Sequence, residues 1–96
     1  MGSKKIILLS GSTCVPCKHF KPVFEEAVKC TDIPHQILVD DVETMQKYGI
    51  RTVPTVLLID EDGDLHHILS GSGLKSEVLH HAFTDFEGWA DETYYQ

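Results

Sequence analysis

No apolar run in this chain exceeds four residues; Ile6–Leu9 and Val56–Ile59 are the longest. A membrane-spanning helix needs roughly 18, so no membrane partner is expected. Basic charge is scarce too. Eight Lys and Arg face fifteen Asp and Glu, for a net charge of −7. After Arg51 one basic residue remains against nine acidic ones. Such a surface repels phosphate backbones and argues against a nucleic-acid partner. Cysteine is sparse and odd in number, three in 96 residues. A secreted disulfide scaffold would want an even, denser set. The segment Met1–Lys5 leads straight into a short aliphatic strand. It lacks the apolar core and small-residue cleavage site of a signal peptide. Ile6 also stands where a myristoylation signal wants Ser or Thr. A cytoplasmic location is therefore the expectation. Internal repeats, linkers and low-complexity stretches are lacking as well.

What the chain does have is Cys14-Val15-Pro16-Cys17. The pair follows Ile6–Leu9 and a small polar loop, Ser10–Thr13, and a helical pattern follows it. A strand thus hands over to a helix start at the first cysteine. The spacing lets two thiols close into a small disulfide. Unpaired amides and the macrodipole at a helix start favour a thiolate on the first sulfur. A C-x-x-C so placed reads as a redox motif. Tetrahedral zinc needs about four ligands, and no second C-x-x-C exists. A helix would aim His19 and Cys30 away from the pair. The doublets His66-His67 and His80-His81 cannot chelate alone, because neighbours on a strand or helix diverge. No metal is expected. Cys30 is expected as a small buried or half-buried hydrophobe.

Hydrophobic periodicity sets out the rest. The uninterrupted run in Lys4–Leu9 predicts a strand covered on both faces. Phe20, Val23, Phe24, Ala27 and Val28 recur at helical steps and predict a helix from Val15 to about Cys30, kinked at Pro22. A strand is expected over His35–Asp40. A short helix over Val42–Tyr48 would be capped by Asp40 or Asp41 and ended by Gly49. Strands at Thr55–Ile59 and Asp64–Ser70 flank a hairpin turn, Asp60–Gly63. In the second, Leu65, His67 and Leu69 should share one face. Gly71–Gly73 breaks the chain. A last helix, Leu74–Phe86, carries a stripe of Leu74, Val78, Leu79, Ala82, Phe83 and Phe86. Gly88–Gln96 is a polar tail with Trp89, Tyr94 and Tyr95. The order β-α-β-α-β-β-α predicts one domain, residues 1–96 with a core at about 4–87. Its fold class is α/β: a four-stranded mixed sheet with helices on both faces.

Several fragments together resemble the thioredoxin family. Cys14-Val15-Pro16-Cys17-Lys18 resembles its C-G-P-C-K site. Pro22 falls five residues after the second cysteine, where that family has a helix proline. Tyr48-Gly49-Ile50-Arg51-Thr52-Val53-Pro54-Thr55 resembles the Y-G-I-R-x-I-P-T segment that holds its cis-proline. The resemblance covers about residues 4–87 and is to the short, glutaredoxin-sized members, since there is no room for the extra N-terminal strand and helix. It departs in three places. Thr13 replaces the tryptophan before the first cysteine, Leu8 replaces a buried acid, and Val15 replaces glycine.

The resemblance implies a small dithiol–disulfide oxidoreductase that reduces protein disulfides. Its only redox group would be the Cys14–Cys17 disulfide. Cys14 would be the nucleophile and Cys17 the resolving thiol. Thr13, Val15, Pro16, Val53 and Pro54 would form the substrate-facing rim, with a cis Val53–Pro54 bond. Lys18 and Arg51, with His19 and Lys21, would put positive charge near the dithiol and draw acidic partners. A flavin-dependent thioredoxin reductase would pass on NADPH electrons, and targets would include ribonucleotide reductase or peroxidases. A monomer is expected. A glutathione-coupled glutaredoxin is a second reading. Pro16 before the second cysteine disfavours it, as does the lack of a G-G-x-D signature after Thr52-Val53-Pro54. A redox-inactive adaptor using the Val53–Pro54 groove is a third.

Overall fold

The computed structural model of the chain describes residues 4–70 and 75–87. Seven elements follow one another: β1 (Lys5–Ser10), α1 (Val15–Val28), β2 (His35–Val39), α2 (Val42–Tyr48), β3 (Thr55–Ile59), β4 (Leu65–Ser70) and α3 (Ser76–Glu87). The strands form one sheet in the order β2-β1-β3-β4. β1 and β2 are parallel, joined by the α1 crossover, while β3 is antiparallel to both β1 and β4.

The two aliphatic runs become the two central strands. Their side chains alternate between two cores. Ile6, Leu8, Val56 and Leu58 face α1 and α3, where they meet Phe20, Phe24, Ala27, Val28, Leu79, Phe83 and Phe86. Ile7, Leu9, Leu57 and Ile59 face the other way, against Met45 and Tyr48 of α2 and Ile50 beyond it. Both faces are covered, so the strands read as unbroken apolar runs. Phe24 meets Phe83 edge-on at 6.2 Å and 87°, which ties α1 to α3. No helix among the described residues is long and apolar enough to cross a membrane.

Local chemistry fixes the short helix α2. Asp41 caps it by accepting from the Thr44 amide at 3.1 Å and the Thr44 hydroxyl at 3.0 Å. Gly49 ends it at φ +70°, a conformation that costs glycine no Cβ clash. The hairpin turn closes through Asp60, whose carboxylate accepts from the amides of Asp62 and Asp64.

Four details depart from the sequence reading. α1 stops at Val28, so Cys30 falls in the turn that follows and is an exposed free thiol, not a half-buried hydrophobe. Val78 is 45% exposed. It neighbours Leu79 about 100° round the helix, and only one of the two can face α1. In β4 a bulge between the Leu58 and Ile59 pairings shifts the alternation. Leu65 therefore packs on the α2 side and Leu69 on the α1–α3 side. The same bulge leaves His66 stacked on Phe86, ring centroids 5.1 Å apart. Helix α3 begins at Ser76. Leu74, the Gly71–Gly73 break, Trp89, Tyr94 and Tyr95 lie outside the described residues.

Candidate redox site

Pairing in the middle of the sheet brings two loops together. β1 runs towards the end of the sheet from which β3 starts, with Leu9 opposite Thr55. The loop after β1 and the loop before β3 therefore emerge side by side. The first carries Cys14 and the second carries Val53 and Pro54.

Cys14 is the N-cap of α1, with φ −91° and ψ 111°. Its Sγ accepts the Cys17 amide hydrogen at 3.1 Å, the bond a Ser or Asp cap would make. Pro16 sits in the first turn, where its missing N–H costs nothing. Cys14 and Cys17 are joined as a disulfide, Cα atoms 5.2 Å apart. Their exposures differ. Cys14 is half-buried, whereas Cys17, one turn into the helix, is 2% exposed.

Across from the disulfide, the Val53–Pro54 peptide bond is cis. Pro54 is buried, and the Val53 carbonyl oxygen lies 3.8 Å from Cys14 Sγ. Neither the amide nor the carbonyl of Val53 makes a backbone hydrogen bond among the described residues. Gly11 permits this close approach. A Cβ there would lie 3.3 Å from Cys14 Cβ and 3.4 Å from Val53 Cγ2.

The structure thus brings Cys14, Cys17, Val53 and Pro54 together. Thr13, Val15 and Pro16 are exposed around the first cysteine, Val15 at 61%. Lys18 and Arg51 are exposed, and neither side chain forms an ion pair or hydrogen bond among the described residues. The potential ligand groups of three or more found among the described residues reduce to Asp60, Asp62 and Asp64 in the hairpin turn. Those carboxylates stand at the opposite end of β3 from Cys14.

One pair of site residues was not apparent from sequence. Asp40, just past β2, accepts hydrogen bonds from the Ser12 amide at 3.1 Å and from the Ser12 hydroxyl. These bonds, the hydroxyl's first, hold its carboxyl below the ordinary aspartate value. The signal that could have found it is the parallel register: Ser10 pairs with Val39, so the residues after each strand end emerge as neighbours.

Residues 4–81 match the family model of the thioredoxin domain. The chain belongs to the thioredoxin family. Its fold is similar to that of thioredoxin from Aeropyrum pernix, at 19% identity and TM-score 0.78 over 88% of this chain and 75% of that one. The reduced thioredoxin pre-protein of Schistosoma mansoni is similar at 24% identity and TM-score 0.74, covering 88% and 80%. Spinach chloroplast thioredoxin f, short form, gives 21% identity and TM-score 0.72, covering 90% and 78%. No curated protein sequence matches the chain significantly.

A thioredoxin domain with a closed cysteine pair at its first helix fits thiol–disulfide oxidoreductase chemistry. In this thioredoxin-family chain the sheet face that meets α1 and α3 is apolar. Leu8 is 1% exposed and packs with Phe20 and Phe24. Thr55 is the only buried polar side chain among the described residues, and its hydroxyl is spent on the Thr52 carbonyl at 2.7 Å.

Proposed function

We propose that this protein reduces disulfides in other proteins through Cys14 and Cys17. The observation that supports this most is the placing of Cys14 Sγ: at a helix N-cap, more exposed than its partner, and 3.8 Å from the Val53 carbonyl oxygen. In the reduced form the Cys17 amide and the helix N-terminus stabilise negative charge on that sulfur. The Cys14 thiolate attacks one sulfur of a substrate disulfide. A Cys14–substrate bond forms as the substrate S–S bond breaks, and the leaving thiolate takes up a proton. Cys17, losing its proton, then attacks Cys14 Sγ. The second substrate thiol departs and Cys14–Cys17 closes again. Two electrons and two protons have passed to the substrate.

Around this step, Val53, whose amide and carbonyl make no backbone hydrogen bond among the described residues, offers both to an extended substrate segment, in the manner of strand addition. Thr13, Val15 and Pro16 form the facing rim. Lys18 and Arg51 favour acidic partners. The disulfide is the only redox group the cycle needs. Electrons return from NADPH through a flavin-dependent thioredoxin reductase. A monomer in the reducing cytoplasm completes the reading, with ribonucleotide reductase or peroxidases as targets.

The test follows NADPH consumption with a protein disulfide substrate. One arm supplies thioredoxin reductase, the other glutathione and glutathione reductase, with Cys14→Ser as control in both. Turnover in the first arm alone supports the proposal. Turnover in the second alone replaces it with a glutathione-coupled enzyme. Silence in both, with partner binding that survives Cys14→Ser, replaces it with an adaptor.

A further inference from the structure

Among the described residues, Asp40 is the only non-glycine with positive φ, at 55°. L side chains disfavour that region, though aspartate tolerates it better than most. Glycine would sit there without strain. A strained residue persists where something else about it is needed, and here that is its carboxylate. The Asp40 amide donates to the Ser10 carbonyl at 2.9 Å, fixing its backbone to the end of β1. Its carboxylate then reaches over the loop and takes both the amide and the hydroxyl of Ser12. No other side chain among the described residues bonds to the loop between β1 and Cys14. That loop has little else to hold it. The Cys14 amide donates to the Gly11 carbonyl at 3.3 Å, so the placing of Cys14 depends on the placing of the loop. The carboxylate also lies close to the junction itself, 3.7 Å from where a Gly11 Cβ would stand.

We propose that Asp40 is a positioning residue: by clamping Ser12 it sets where the loop delivers Cys14 against Val53. This rests on reading Cys14 as the reacting thiol. The clamp acts through hydrogen bonds, and the strained backbone is what aims the carboxylate inward. Reacting groups held a fraction of an ångström out of place lose rate steeply, so a loosened loop changes the chemistry of the pair while the fold stands.

The variants separate hydrogen bonding from charge and strain. Asp40→Gly relaxes the backbone but removes both bonds. Asp40→Asn removes the charge, keeps an oxygen for the Ser12 amide and gives the hydroxyl a donor instead. Ser12→Ala removes only the hydroxyl bond. Two readouts are taken on each folded variant: the alkylation rate of Cys14 by iodoacetamide in reduced protein, and the equilibrium of the dithiol with dithiothreitol. Thermal unfolding confirms the fold. We expect Asp40→Gly to shift both readouts by about threefold or more, with Ser12→Ala moving the same way by less and Asp40→Asn staying near the parent. An Asp40→Gly protein indistinguishable from the parent overturns the proposal, as does an Asp40→Asn protein shifted as far as Asp40→Gly. Neither readout needs a reductase or a protein substrate, so failure of the proposed activity does not imitate either result.

Discussion

The Cys17 amide donates its hydrogen to Cys14 Sγ over 3.1 Å. The residue that attacks first in the proposed cycle is therefore also the cap of the helix that carries the resolving residue. Structure and chemistry share one bond, and they can be separated. Cys14→Ser keeps a capping oxygen and should abolish NADPH-linked disulfide reduction with little change in stability. Cys14→Ala should abolish it too and cost about 1 kcal/mol more, the usual loss of a cap. Urea unfolding of both variants, against the reduced parent, checks the difference.

Phe24 is fully buried and meets the ring of Phe83, also fully buried. Phe24→Ala should cost about 3–5 kcal/mol. Because the rings touch, the double variant with Phe83→Ala should lose less than the two single losses together, by about 0.5–1.5 kcal/mol. A double-mutant cycle by denaturant unfolding measures the term.

Gly49 has nothing within 4 Å of where a Cβ would stand. A substitution there meets no steric obstacle, only the cost of φ +70°. Gly49→Ala should therefore destabilise by about 1–2 kcal/mol with the denaturant slope unchanged. A larger loss, or a changed slope, would contradict a purely backbone origin.

Asp40 has a depressed folded pKa because Ser12 donates to its ionised form. The sign follows from linkage. The unfolded chain binds this proton more readily, so the contribution is present above the ordinary value of 3.8 and is lost as pH falls below it. Thermal unfolding followed from neutral pH into acid should show the parent losing more stability below that point than Asp40→Asn. Parallel profiles would remove Asp40 as the source.

The central sheet was legible because β1 and β3 are buried on both faces and leave no alternation to misread. The bounds of α2 were legible because Asp41 and Gly49 have distinct capping chemistry. Cys30 misled because it follows Ala27 at a helical step, and nothing in the sequence marks the end of the helix at Val28. Leu65-His66-His67-Ile68-Leu69 can alternate in either phase, and the bulge chose. The cysteine pair and Val53–Pro54 were legible as motifs. The Ser12–Asp40 clamp was not, since it joins residues 28 positions apart that only the parallel register brings together.

The hairpin turn at Asp60–Asp64 points away from the dithiol because β3 runs antiparallel to β1. One strand of five residues separates them, about 17 Å at 3.3–3.4 Å per residue. The side chains of the turn are largely exposed, and its hydrogen bonds among the described residues all run through Asp60. A fluorophore or a short affinity peptide grafted there would ride on the rigid middle of the sheet while leaving the cysteine end open, which makes this turn the natural handle for tethering the protein to a surface.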